Sequence, residues 1–385
     1  MIPLTGQLIF SGNIESPDSF LLKLTRNSKL PLKLRESYGL LCDQIENPPE
    51  GFRAYVKITQ NHNRNIISKN AMVFGPELGY LSEGDIVRVN TKNKKVRVLY
   101  RKNSSYNALL VTERCNSFCL MCSQPPRKVN DDAVSDELLQ MIPMIDRGAL
   151  EIGITGGEPT IIGEKLFEML RKLKAYHPET AVHLLTNGRN FQDINLARSI
   201  QIVGHPNLML GIPLYSDLSN IHDFVVQADG AFDETIRGIL NLKRCCVQVE
   251  IRIVIHKQTY DRLPQLARFI ARNLTFVDQV ALMGLEITGF TKANIDELWI
   301  DPSEYQEQLI KAVEQLDRYG IRVLIYNHQL CLLDPSIHKF NVRSISDWKN
   351  EYMPECDGCL RQYECGGFFS SSKLRYSSHI RPFTR

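Results

Sequence analysis

From residue 106 onward, the apolar positions follow two alternating periods. Short apolar runs read as buried strands: NALLVTE, ALEIGIT, AVHLLTN, LMLGIPLY (208–215), VQVEIRIVI and VDQVALMGLEI. Between them, apolar residues recur every three or four positions, as on one face of a helix. These stretches are SDELLQMIPMIDRG (135–148), EKLFEMLRKLKAY (164–176), INLARSIQIVG, FDETIRGILNLKRC and LPQLARFIARNL. Ser135 is the expected N-cap of the first helix, and Gly204 closes the third. Repeated βα units predict an α/β fold with a parallel sheet or barrel. Six strands with five intervening helices are too few for a complete eight-fold barrel, so the expectation is a partial (β/α)6 TIM-like barrel. Beyond it, DPSEYQEQLIKAVEQLDRYG (301–320) predicts a helix from Pro302 to Gly320. IRVLIYN then reads as a strand, followed by a cysteine-bearing tail.

Residues 1–104 have a different pattern, one of short strands and turns. The clearest case is LSEGDIVRVNTKNKKVRVLYRK (81–102). Val87 and Val89, then Val96 and Val98, alternate about a polar turn and predict a β-hairpin. Its lysines and arginines read as a solvated hairpin edge, with contact to an acidic partner as the alternative. The expected organisation is a β-rich N-terminal domain (1–104), the partial barrel (105–300) and a Cys-rich C-terminal extension (301–385).

Composition narrows the class of protein. Of 385 residues, 43% are apolar and 23% charged, as expected of a chain that buries a full core. A net charge of +3 is too small to argue for nucleic acid or a membrane as a partner. No apolar run approaches the roughly eighteen residues of a membrane span. The N-terminus shows no basic region and no small-residue cleavage site, so a cytoplasmic location is expected. Ten cysteines then suggest metal or redox chemistry rather than disulfides.

Two cysteine groups stand out. Cys115, Cys119 and Cys122 form C-x3-C-x2-C directly after the first strand, where ligand sites of βα folds collect. A structural zinc wants four ligands, and the nearest downstream histidine is His177. Three thiolates on an iron–sulfur cubane leave one iron open to a further ligand. The second group is Cys331, Cys356, Cys359 and Cys365, enough to close a cubane or a zinc site. Cys42, Cys245 and Cys246 read as buried small hydrophobes.

The first group, together with GITGGEPT (153–160) after the second strand and LLTNGR (184–189) after the third, resembles the radical S-adenosylmethionine (SAM) superfamily. The resemblance implies that Cys115, Cys119 and Cys122 hold a [4Fe–4S] cluster whose open iron chelates SAM. Gly156, Gly157 and Glu158 would meet the SAM amino group, the glycines by close backbone approach and Glu158 as an acceptor. Ser216 would contact the ribose or carboxylate, Arg252 a carboxylate, and Val254 and ALMGLE the apolar side of the nucleoside. Met121 stands where the family commonly has an aromatic residue beside the third cysteine; methionine can pack against adenine instead.

The C-terminal spacing C-x2-C-x5-C resembles the SPASM and twitch extensions of peptide-modifying radical SAM enzymes, and implies one auxiliary [4Fe–4S] cluster on Cys331, Cys356, Cys359 and Cys365. Over most of its length the chain is similar to the C-type radical SAM maturase of the His-Xaa-Ser repeat peptide system. That similarity implies reductive SAM cleavage to a 5′-deoxyadenosyl radical and hydrogen abstraction from a ribosomally made precursor peptide. It also implies an electron donor such as flavodoxin or ferredoxin, and a second radical SAM maturase as companion. Two alternatives stay open: a radical SAM enzyme acting on another protein or a small molecule, and a non-catalytic zinc-binding interaction protein.

Overall fold

A computed structural model describes residues 3–11, 18–43, 48–59, 70–343 and 351–384. The N-terminal part is a closed barrel. Its strands are β1 (Thr5–Ser11), β2 (Ser19–Thr25), β3 (Tyr38–Leu41), β4 (Ala54–Ile58), β5 (Ala71–Phe74), β6 (Ile86–Asn90) and β7 (Lys95–Tyr100). They run in the order β1-β5-β4-β3-β2-β6-β7, with β7 pairing back onto β1. Closure removes the open edges that so small a sheet would otherwise present. The predicted hairpin is β6–β7, with Val87 opposite Val98 and Val89 opposite Val96, all four buried in the barrel core.

This hairpin is solvated at its turn, where Lys92 and Lys94 are exposed, but it is not a sheet edge, since β6 and β7 are each paired on both sides. Lys95 stays in water, but Arg88 reaches across to Glu137 at 3.0 Å. Beside it, Lys102 pairs with Asp146 at 3.1 Å, and Lys23 Nζ donates to the Met144 carbonyl at 2.7 Å. Arg88 and Lys102 thus find acidic partners in the same chain, and all three contacts join the barrel to the helical segment after the cysteines.

The second sheet is parallel and open, and each strand lies beside its predecessor. It comprises β8 (Tyr106–Leu110), β9 (Glu151–Thr155), β10 (Ala181–Leu185), β11 (Leu208–Pro213), β12 (Gln248–Ile255), β13 (Gln279–Gly284) and β14 (Arg322–Tyr326). There are thus seven strands, not six. The seventh is the IRVLIYN run beyond residue 300. Helix Gln306–Arg318 buries Leu309, Val313 and Leu316 in the same core as helix Leu263–Asn273 and returns the chain parallel to β13. The expected helices are present at Glu164–Tyr176, Ile194–Val203, Ala231–Arg244 and Leu263–Asn273. Gly204 closes the second of these with φ +57°, a left-handed conformation that costs glycine little.

Two local expectations are corrected. The helix after the cysteines spans Asp132–Met141, and Ser135 is not its N-cap: it lies buried inside the helix, its hydroxyl donating to the Val111 carbonyl at 3.1 Å. A further helix, Ser219–Val226, lies between β11 and helix Ala231–Arg244. Its one-sided pattern, Ile221 and His222 against Val225 and Val226, spans only two turns, a weak signal in sequence.

Candidate active site

The segment following β8 carries Cys115, Cys119 and Cys122 and forms no helix or strand of its own. Neighbouring elements fix it on three sides. Toward β9, the N–H groups of Gly157 and Glu158 donate to the carbonyls of Thr112 and Arg114, both at 2.8 Å. Toward helix Ser219–Val226, the N–H groups of Phe118 and Leu120 donate to Val226 and Val225 at 3.0 and 2.9 Å. Toward the loop after β13, Phe290 N–H donates to the Cys122 carbonyl at 2.8 Å, Thr291 Oγ1 to that of Met121 at 3.2 Å, and Asn294 Nδ2 to that of Leu120 at 2.9 Å. One main-chain and two side-chain donors thus satisfy carbonyls of a segment that has no regular structure of its own.

The glycines explain how the loop comes so close. A Cβ on Gly156 would lie 2.5 Å from the Thr112 carbonyl oxygen, and one on Gly157 would overlap the Arg114 carbonyl. Gly289, at φ +53°, could carry no Cβ without striking the carbonyls of Cys122 and Ser123. Gly156 and Gly157 therefore serve the packing of the cysteine loop itself.

Glu158 is completely buried. Its Oε1 accepts from Thr160 N–H (3.0 Å), Thr160 Oγ1 (2.6 Å) and Thr186 Oγ1 (2.7 Å), and its Oε2 from Asn187 N–H (2.7 Å). The carboxylate thus ties GGEPT to LLTNGR. From the latter, Arg189 bridges to Glu234 at 2.6 Å and donates to Ser117 Oγ at 3.1 Å, inside the cysteine loop.

Burial pushes the thiols up, Cys115 to about 11 and Cys119 to about 12, with the neighbouring cysteines adding to the rise. Cys122 is raised for the same reason. Soft, all-sulfur donors at the C-terminal end of a parallel sheet suit an iron–sulfur group, whose positive charge would stabilise the thiolates. Among the described residues, no three His, Cys, Asp or Glu side chains are grouped to hold a single metal ion.

Residues 109–270 match the family model described as the radical SAM superfamily. Over this segment, less than half of the chain, the protein is similar to that superfamily. Among curated proteins, the chain is similar to the GTP 3′,8-cyclase of Helicobacter pylori, with 27% identity over 161 residues, 40% of this chain and 48% of that one. It is also similar to the GTP 3′,8-cyclase of Campylobacter jejuni subsp. doylei, with 24% identity over 279 residues, 68% of this chain and 78% of that one. The chain thus spans about half the length of the first relative and about three quarters of the second. Among solved structures, SuiB of Streptococcus suis aligns with a TM-score of 0.47 and 15% identity, covering 61% of this chain and 51% of that one.

Within the matched segment, the remaining expected residues separate into two groups. Met121 and Val254 belong to one apolar cluster, with Tyr215, Val225 and Leu285, beside Cys119. Tyr215 is buried, lies in the field of Cys119 and Cys122, and stacks on His222 with ring centroids 5.8 Å apart. Ser216 and Arg252 have partners within the protein. Ser216 Oγ accepts from Leu218 N–H at 3.2 Å and shapes the turn into helix Ser219–Val226. Arg252 donates to Glu250 at 2.8 Å and to Met283 Sδ at 3.2 Å. Its carboxylate partner here is two residues away on the same face of β12. Burial raises Glu250, but His183, Arg252 and Gln279 together outweigh it and hold the carboxyl at about 2. Gly211 leaves the space these side chains occupy: a Cβ there would come within 2.9 Å of both Arg252 and His183.

The four C-terminal cysteines, Cys331, Cys356, Cys359 and Cys365, share the lining of one small cavity with Tyr352, Arg381 and Phe383. Leu330 N–H donates to Cys365 Sγ at 3.3 Å, and Phe383 N–H to Cys359 Sγ at 3.4 Å. Burial raises Cys331 and Cys356. Of the remaining cysteines, Cys245 is buried as expected, Cys42 is partly exposed, and Cys246 is exposed. Cys246 sits at φ +56° in the turn before β12, where its side chain points out of the core.

Proposed function

We propose that the chain is a radical SAM enzyme that modifies a ribosomally made peptide, of the kind matured in the His-Xaa-Ser repeat system. The observation that carries the reading is the loop of Cys115, Cys119 and Cys122, pinned from three sides at the C-terminal end of an open parallel sheet. A [4Fe–4S] cluster there would supply the electron that cleaves SAM to methionine and a 5′-deoxyadenosyl radical. The protein's own part is to hold SAM and substrate in register and to exclude water. The backbone around Gly156 and Gly157 receives the SAM amino group, and Met121 and Val254 offer apolar contact to the nucleoside. Ser216 acts through the turn that it shapes. Arg252, already bonded to Glu250, shares a polar patch with His183 that suits a polar substrate group.

The three parts then divide the work: residues 1–104 for partner or peptide contact, 105–300 for the radical chemistry, and 301–385 for an auxiliary [4Fe–4S] cluster on Cys331, Cys356, Cys359 and Cys365. N–H···S bonds to Cys359 and Cys365 favour thiolate ligation at that second site. Partners in this reading are the precursor peptide, a second radical SAM maturase, and a flavodoxin- or ferredoxin-type donor in the cytoplasm. No helix among the described residues is long and apolar enough to cross a membrane.

The test is anaerobic co-expression with the peptide followed by mass spectrometry. A mass change that requires Cys119 supports the reading. Reduced protein that makes no 5′-deoxyadenosine from SAM refutes it. Metal analysis addresses the cofactors: about eight irons per chain correspond to two cubanes, whereas zinc without sulfide would leave only a binding protein. A second reading, a small-molecule substrate, draws on the curated relatives named GTP 3′,8-cyclase and on the polar group Glu250–Arg252–His183. Incubating the reduced enzyme with SAM and GTP, and analysing the products by mass spectrometry, separates the two.

A further inference from the structure

The parallel sheet begins at β8, and β8 has a neighbour on one side only. Val111 N–H bonds to Thr155 on β9 at 2.8 Å, in register with the pairing of Leu110 and Thr155. In a parallel ladder the inward groups alternate, so Asn107 and Leu109 also bond toward β9. Tyr106, Ala108 and Leu110 therefore turn their main-chain groups to the open side. Ser104 Oγ takes the Tyr106 carbonyl at 2.8 Å. The N–H and C=O of Ala108 and Leu110 have no partner among the described residues, and Ala108 is solvent-exposed in mid-strand.

This edge forms the floor of a groove of about 230 Å³ between β8 and the closed barrel. Arg88, Arg97 and Arg101 line its wall, opposed by Glu137 alone among acidic side chains. Glu137 pairs with Arg88. Arg97 makes no direct ion pair among the described residues, with Glu137 and Glu113 only in its wider field, and Arg101 keeps a buried Nε without any acceptor while its guanidinium lies 5.0 Å over Tyr80. A buried guanidinium nitrogen with no acceptor is costly, and its placement beside a free strand edge is unlike ordinary surface charge.

We propose that this groove binds an extended acidic segment of the peptide substrate, which adds to β8 as an eighth strand and sets its carboxylates against Arg97 and Arg101. The assignment rests on the peptide-substrate reading and extends it. Main-chain pairing to Ala108 and Leu110 supplies affinity, and the arginines select acidic over basic segments. The C-terminal end of β8 leads within five residues to Cys115, so a strand docked there is directed at the candidate active site.

The test uses the full-length, anaerobically reconstituted protein and two fluorescein-labelled peptides, one alternating Glu and Val, the other Lys and Val. Fluorescence anisotropy should show the Glu/Val peptide binding at least about tenfold more tightly, less so as salt rises. Amide exchange at Ala108 and Leu110 should slow when it binds. Ala108→Pro removes the outward N–H without touching the β9 ladder, so it should fold and lose binding. The double variant Arg97→Glu, Arg101→Glu should weaken Glu/Val binding by about tenfold or more while SAM cleavage persists. Equal affinity for both peptides, or unchanged exchange at Ala108 and Leu110 under saturating peptide, overturns the proposal even if Ala108→Pro misfolds. Peptide modification that survives both sets of substitutions overturns the groove alone. A groove that binds as expected in an enzyme that modifies no peptide overturns the peptide-substrate reading instead.

Discussion

The backbone N–H of Asn187 donates to Oε2 of Glu158 at 2.7 Å. This bond joins the loops that follow β9 and β10, and both loops brace the cysteine segment. Glu158→Gln keeps the shape but turns an amide N–H₂ toward donors. One buried clash of donors should cost roughly 1–3 kcal/mol. The expected outcome is a lower thermal midpoint by several degrees and weaker retention of iron, read by thermal unfolding and by iron analysis after reconstitution.

Gly157→Ala places a Cβ against the Arg114 carbonyl and 3.1 Å from Cys115 Cβ. Backbone must move, at a cost of about 1–3 kcal/mol. Iron incorporated per chain should fall, with 5′-deoxyadenosine formation falling in parallel. Gly148→Ala is the control: only an Asp146 side-chain oxygen lies near, at 3.1 Å, so iron content should not change.

Arg252 and His183 help to hold Glu250 well below its ordinary 4.5, at about 2. A carboxyl depressed on folding contributes stability that is full above pH 4.5 and is lost as pH falls toward 2. The span corresponds to a loss on the order of 3 kcal/mol. Arg252→Ala leaves the buried carboxylate short of a partner. Denaturant titrations should show the variant less stable at pH 7 by about 3 kcal/mol, with a flatter acid limb.

His328 works in the opposite charge state. Tyr305 Oη and the Tyr326 carbonyl contact its two ring nitrogens, both at 2.8 Å, an arrangement that suits the neutral ring. Burial lowers its pKa from 6.5 to about 4. The unfolded chain therefore takes up a proton that the folded one refuses, and stability falls as pH drops from 6.5 toward 4. His328→Gln should make that loss shallower in urea unfolding curves measured across the same window.

Much of this could be read along the chain. Every strand from β8 to β14 coincides with an apolar run, because each buries at least one face in the core beneath the helices. The hairpin register followed from the four valines, since a shift by one residue would turn them all outward. The fate of the polar residues was not legible. Glu158 was expected as an acceptor for a cofactor amino group; that its carboxylate also accepts from Thr160, Thr186 and Asn187 could not be read from the sequence. Arg88 was expected in solvent, yet it faces Glu137 on a helix 49 residues away. Nothing local distinguishes a carboxylate facing a ligand from one that accepts its own protein's N–H groups.

The sequence by itself determined the periodicities, the three-and-four division of the cysteines, and the glycines where the backbone must come close. These depend on covalent geometry and on side-chain size, which each residue carries with it. Only the tertiary structure decided that a seventh strand completes the sheet, that Arg88 of the basic hairpin is paired within its own chain, and that β8 keeps a free edge beside arginines. Those outcomes depend on which groups meet across long stretches of chain, where burial makes a missing partner costly and a found one specific.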